Sequence, residues 1–194
     1  MSPAQATRGT QASAEVLLEA REVTVRFGGL VAVNEVSASF RAGELVGIIG
    51  PNGAGKTTFF NALSGVTPPT GGTLIVQGED LTGARPHRFA HHGIARTFQT
   101  PRVFAELTVV ENIDFGLQFA GRGRSAPALL ADEASILGLI GLSAQAALPA
   151  AAITPSQQRL LEVGMALATR PRLLLLDEVA AGLTEAEVEN MAKL

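Results

Sequence analysis

Gly50-Pro51-Asn52-Gly53-Ala54-Gly55-Lys56-Thr57-Thr58 decides the fold of this 194-residue chain. The stretch fits G-x-x-x-x-G-K-[ST], a glycine-rich loop that wraps phosphate when it joins a strand to a helix. Leu45-Val46-Gly47-Ile48-Ile49 precedes it and reads as a buried strand, and Phe59, Phe60 and Leu63 follow at helical spacing. Gly50, Gly53 and Gly55 allow a tight turn that brings backbone N–H groups against phosphate oxygens. A helix starting at Gly55 or Lys56 aims its positive end at the same anion. Lys56 supplies a charge for the outer phosphates, and Thr57 offers a hydroxyl to Mg²⁺.

Around this loop the chain alternates in character. Val23, Val25 and Phe27 alternate with polar residues, as do Val36, Ala38 and Phe40, and both runs predict half-buried strands. Gly28-Gly29 and Ala42-Gly43 mark turns, and Pro68 to Gly72 is another, ahead of a strand over 73–76. Helices are expected over 109–117, 135–142 and 154–169, and a buried strand over 173–176. A strand-rich first part, a helical middle and a return to strand predict an α/β core with a helical insertion.

Leu173-Leu174-Leu175-Leu176-Asp177-Glu178 sets two carboxylates at the end of an apolar strand, where open α/β sheets bind ligands. With a phosphate loop in the same chain, Asp177 is expected to hold Mg²⁺ through its water shell and Glu178 to polarise an attacking water.

Composition narrows the classes. With 46% hydrophobic and 17% charged residues the chain can bury one core, and a formal charge of −3 argues against a nucleic-acid partner. It has no cysteine, which excludes disulfides and thiolate metal sites. No apolar run approaches the ~18 residues of a membrane span. Residues 1–14 are polar and alanine-rich, lack the apolar middle of a signal peptide, and are expected to be a disordered tail.

Gly50–Thr58, Gln99 and Leu173–Glu178, in this order and spacing, resemble the nucleotide-binding subunit of ABC transporters. Phe27 to Val33, Gly93 to Gln99 and Ala168 to Pro171 are similar to the ATP-binding subunits of branched-chain amino-acid importers in particular. The resemblance implies a P-loop NTPase fold with a RecA-like core of mostly parallel sheet, an antiparallel β subdomain and a helical insertion. It divides the chain into a nucleotide-binding core over 15–99, a helical subdomain over 100–170 and the Asp-Glu strand with its following loop over 171–194. It implies ATP and Mg²⁺ as ligands, with the adenine stacking on Phe27 (otherwise a core phenylalanine closing a strand). It also places Gln99 as sensor of the γ-phosphate and of Mg²⁺, beside the contact with the permease. Lys56, Gln99 and Glu178 would be catalytic, and Thr57, Gln99 and Asp177 would face the metal.

The family pattern is broken in places. Where its Leu-Ser-Gly-Gly-Gln stretch should grip a partner subunit's ATP stand Ile153-Thr154-Pro155-Ser156-Gln157. Thr154 can replace the serine hydroxyl, but Pro155 removes one N–H and Ser156 adds a side chain where glycine allows close approach. The same residues make a good helix start, with Thr154 as N-cap, Pro155 in the first turn and Gln157 completing a capping box. A capped helix without phosphate contact is therefore an equal alternative for Thr154, Ser156 and Gln157. No histidine follows His92, so the family's switch histidine has no counterpart. His87, His91 and His92 match nothing catalytic and are expected on a solvated surface. The C-terminal strands of the family fold are expected to be missing, one of them central, which makes a fragment of a longer subunit the expectation. The function implied is that of an importer's ATP-binding subunit, coupling ATP hydrolysis to uptake of branched-chain amino acids or a related small solute. The alternatives are a hydrolysis-deficient binding module or a non-functional fragment. Permease membrane subunits, a second ATP-binding subunit and, indirectly, a solute-binding protein are the implied partners. The implied location is cytoplasmic, peripheral on the inner face of the cell membrane.

Overall fold

The computed structural model describes residues 14–119 and 130–177. The expected tail, Glu178 and the loop after it lie outside the described residues, apart from Ala14. The chain divides into two compact units, Met1–Ile94 and Ala95–Leu194.

The first unit is built on an antiparallel sheet. Strands β1 (Val16–Phe27), β2 (Leu30–Arg41), β3 (Gly71–Val76) and β4 (Glu79–Asp80) lie in the order β2-β1-β3-β4. The expected hairpin at Gly28-Gly29 is present, with Phe27 paired to Leu30. β1 begins earlier than its alternating residues indicate, because Leu17 and Leu18 are also buried. Register shifts in the β1–β2 ladder break the expected alternation, so that Val23 is buried while Val36, opposite it, is exposed. The hydroxyl of buried Thr24 accepts from the Glu35 N–H at 3.0 Å there, meeting a backbone donor that the ladder leaves over. Helix α1 (Lys56–Leu63) buries Phe59, Ala62 and Leu63, as its apolar spacing requires. A short helix, α2 (Pro86–His91), carries buried Phe89. Of the three histidines, His92 is half-buried and meets Glu79 at 3.2 Å.

One expectation fails here. Residues 45–49 form no strand: Leu45 is 96% exposed and Ile49 72%. An apolar run becomes a strand only when another backbone takes its N–H and C=O groups. Among the described residues nothing hydrogen-bonds to the backbone of 45–49.

The second unit is helical. Strands β5 (Ile94–Arg96) and β6 (Leu173–Leu175) pair, and helices α3 (Val109–Gln118), α4 (Glu133–Leu139) and α5 (Pro155–Ala168) enclose the core. That core includes Val109, Ile113, Ile136, Ile140, Leu160 and Leu161. α3 and α5 approach closely: a Cβ on Gly116 would stand 2.7 Å from the Met165 carbonyl oxygen and from the Ala168 side chain. Both helices start with a complete capping box, from Thr108 and Glu111 and from Thr154 and Gln157. α4 starts earlier than the apolar stretch 135–142 predicts, because Asp132 caps it by accepting from the Ser135 N–H at 2.8 Å. No helix among the described residues is long and apolar enough to cross a membrane.

Candidate functional site

The first unit holds the glycine loop. Gly55 is the N-cap of α1, so the helix begins where the motif requires. Its φ of 87° is left-handed, and a Cβ there would stand 2.1 Å from the Ala32 carbonyl oxygen on β2. Pro51, Asn52, Gly53 and Ala54 are exposed, while Gly50, Lys56, Thr57 and Thr58 are half-buried. The loop is folded on itself. The Ala54 N–H donates to the Pro51 carbonyl at 3.2 Å, and the Lys56 ammonium donates to the carbonyls of Gly50 at 2.8 Å and Pro51 at 3.0 Å. The arrangement puts a cation and the N-terminal amides of a helix around one exposed turn, which suits an anion. Phe27, at the end of β1, is 52% exposed, so its ring is open to stack on a flat ligand and is not a core residue.

Asp177 and Gln99 belong to the second unit. Asp177 follows β6 and is 6% exposed. Its backbone N–H donates to the Thr97 hydroxyl at 3.3 Å, and the Thr97 N–H donates to the Leu175 carbonyl at 3.0 Å. The Asp177 Oδ2 atom is buried and has no hydrogen-bond partner among the described residues. A carboxylate oxygen without a partner is costly unless a cation or water takes it. Such an oxygen fits Mg²⁺, a hard cation usually held by one or two carboxylates together with water and phosphate. No cluster of three or more His, Cys, Asp or Glu gathers among the described residues.

Gln99 is exposed on the loop leaving β5. Around it lie residues that sequence reasoning missed. Glu162, in the middle of α5, is 4% exposed and accepts from the Phe98 and Arg102 N–H groups. Burial raises its pKa, opposed by those two N–H groups. The Arg96 and Arg102 guanidinium groups lie against the Phe98 ring, 4.5 and 4.2 Å from its centroid. Burial lowers the Arg96 pKa, and the charges of Asp177 and Glu162 pull it back up. Asn112 on α3 is fully buried; it accepts from the Phe104 N–H at 2.8 Å and donates to the carbonyls of Phe104, Leu107 and Thr108. The signal for Glu162 was available: a carboxylate inside Leu160-Leu161-Glu162-Val163 breaks an otherwise apolar run.

At the start of α5 the expected cap is present in full. The Thr154 hydroxyl accepts from the Gln157 N–H, the Gln157 side chain accepts from the Thr154 N–H at 2.9 Å, and the Ser156 hydroxyl lies 3.1 Å from that of Thr154. Pro155 has no N–H, so two of the first three helical positions offer nothing to an outside anion.

The ABC transporter family matches residues 33–181 of the chain. The high-affinity branched-chain amino acid transport ATP-binding protein BraF of Pseudomonas aeruginosa is 40% identical over 191 residues, covering 92% of this chain and 75% of its own length. The ribose import ATP-binding protein RbsA of Rhodopirellula baltica is 35% identical, over 91% of this chain and 35% of its own. Among solved structures, an ATP-binding cassette of an ABC transporter in its ADP conformation superposes with a TM-score of 0.75 at 29% identity, covering 92% of this chain and 74% of that one. The glycine loop capping α1 lies inside the matched span, and the fold neighbour is an ATP-binding cassette: the chain belongs to the ABC transporter family.

Proposed function

We propose that the chain is the ATP-binding subunit of an importer for branched-chain amino acids or a related small solute. The observation that carries the reading is the glycine loop at the head of α1, with Lys56 and the helix amides around one exposed turn. Loop residues Gly50 to Thr58 would bind the phosphates and Phe27 the adenine ring. Thr57, Gln99 and Asp177 would hold Mg²⁺, which neutralises charge between phosphate oxygens. Asp177 brings to that task a buried oxygen that has no partner among the described residues. Glu178 would take a proton from the attacking water, and Lys56 would meet charge developing on the leaving phosphates. The solute reading draws on the likeness to BraF, and the solute would be set by the permease subunits and, indirectly, a solute-binding protein. A second ATP-binding subunit would complete the working pair at the cytoplasmic face of the membrane.

One observation favours a second reading, a module that binds ATP but hydrolyses it poorly. In the first turn of α5 Pro155 has no N–H and the Gln157 N–H is taken by the cap, which weakens the grip it can offer a partner's ATP. Steady-state phosphate release with Mg²⁺ and ATP, alongside equilibrium binding of a fluorescent ATP analogue, tests both. Glu178→Gln should retain binding and lose turnover, because an amide does not take the proton as a carboxylate does. Binding without turnover in the unsubstituted chain would leave the second reading standing, and no binding at all would remove both.

A further inference from the structure

Gln99 is held by a residue from another element. The loop leaving β5 runs Thr97-Phe98-Gln99-Thr100-Pro101-Arg102, and Glu162 of α5 holds it on both sides of the glutamine. Its Oε1 atom accepts from the Phe98 N–H at 3.3 Å and from the Arg102 N–H at 3.1 Å, and its Oε2 atom takes the Phe98 N–H at 3.4 Å. On the same helix, three residues earlier, Arg159 donates to the Gln99 carbonyl at 3.5 Å. Next to the glutamine, the Phe98 ring has the Arg96 and Arg102 guanidinium groups lying against it.

A carboxylate placed among Leu160, Leu161 and Val163 is a costly choice if α5 only packs. Neutral residues would fill the space without desolvating a charge, as the replacement of buried ions by apolar residues often does at no loss. What Glu162 supplies and an apolar side chain cannot is a pair of acceptors for two backbone donors that no ladder pairs. The helix that carries it is capped by Thr154, about two turns away.

We propose that Glu162 is a positioning residue for Gln99, fixing the backbone on both sides of it so that its side chain meets Mg²⁺ and the γ-phosphate at a set place. The proposal rests on the ATP-binding reading and adds a residue to it. Glu162 touches neither nucleotide nor metal; it acts through the loop, as outer partners of metal ligands do.

The experiment uses the full chain with Glu162→Ala and Glu162→Gln. Amide hydrogen exchange at Phe98 and Arg102, ATP affinity, the Mg²⁺ concentration for half-maximal turnover and thermal melting are measured together. Glu162→Ala should lower protection at both amides about tenfold. It should raise the Mg²⁺ requirement about tenfold and leave ATP affinity within about twofold, since the glycine loop is untouched. Glu162→Gln keeps one acceptor oxygen and should fall between; if Glu162→Ala fails to fold, Glu162→Gln decides. Unchanged protection at Phe98 and Arg102 overturns the proposal. So does loosened exchange with an unchanged Mg²⁺ requirement, which would leave Glu162 a purely structural residue. If the unsubstituted chain binds no ATP, the function reading and the metal half of this proposal fall together, while the amides still decide the clamp.

Discussion

Two loops carry the candidate chemistry, and they are held in opposite ways. The glycine loop is held mainly by its neighbours in sequence. Lys56 donates to the carbonyls of residues 50 and 51, Ala54 to residue 51, and Phe59 to Gly55. The loop with Gln99 is held by residues far along the chain: Leu175 accepts from Thr97, and Glu162 and Arg159 reach in from α5. A loop held locally writes its shape into a motif. A loop held from a distance spreads it over residues whose types look ordinary where they stand.

The largest expected effect comes from breaking the local loop. Lys56→Ala removes the ammonium from the Gly50 and Pro51 carbonyls and from any phosphate. It should weaken nucleotide binding by about 10²-fold or more, as loss of a charge-assisted contact does. Titration with a fluorescent ATP analogue reads it, and thermal melting should change little because the hydrogen bonds lost go only to two carbonyls of the same turn. Wild-type affinity in this variant would detach the loop from phosphate binding.

The middle effect comes from breaking the far loop at its other end. Asn112→Ala leaves the Phe104 N–H and three carbonyls without their side-chain partner in a buried place. It should cost about 2–4 kcal/mol of stability in the second unit. Urea melting followed by circular dichroism checks it, and a loss below about 0.5 kcal/mol would mean that the far loop does not depend on this asparagine.

The smallest effect sharpens the comparison where that loop runs into α3. The Thr108 hydroxyl and N–H hold the Glu111 carboxylate below its ordinary pKa of 4.5. A carboxylate with a depressed native pKa adds stability above its unfolded value and loses it as pH falls through the native value. The acid limb of a melting-temperature profile should therefore drop below pH 4.5, and Glu111→Gln should flatten that drop. Identical acid limbs would show that the capping box of α3 adds no pH dependence.

The contrast also explains what could be read without coordinates. Thr154-Pro155-Ser156-Gln157 announced the start of α5 because a cap is a local device, and the glycine loop announced α1 for the same reason. Asp177 was legible because a carboxylate ending an apolar strand stands out. Leu45–Ile49 was misread, since hydrophobicity states a preference for burial while pairing depends on a second backbone. β1 was read too short because bulges hide the alternation over its early residues. α2 and β5 went unread, being too short to set up a period. Glu162 and Asn112 went unread because what they hold is visible only once the loops are folded.

Gly55 separates two questions that binding assays tend to merge. Its Cβ would fall on the Ala32 carbonyl oxygen, and its φ lies where L side chains rarely go. Every other amino acid at position 55 therefore meets an obstacle belonging to the protein alone, before any nucleotide arrives. At Gly53 a Cβ would meet nothing within 4 Å, although φ is again left-handed at 79°. A Gly55 variant that loses ATP binding thus reports on whether α1 can seat against β2, whereas the same loss at Gly53 reports on the shape of the turn. In a saturation scan of this loop, position 55 should score as intolerant in a folding screen as in a nucleotide screen, and position 53 should be the better tolerated in the folding screen.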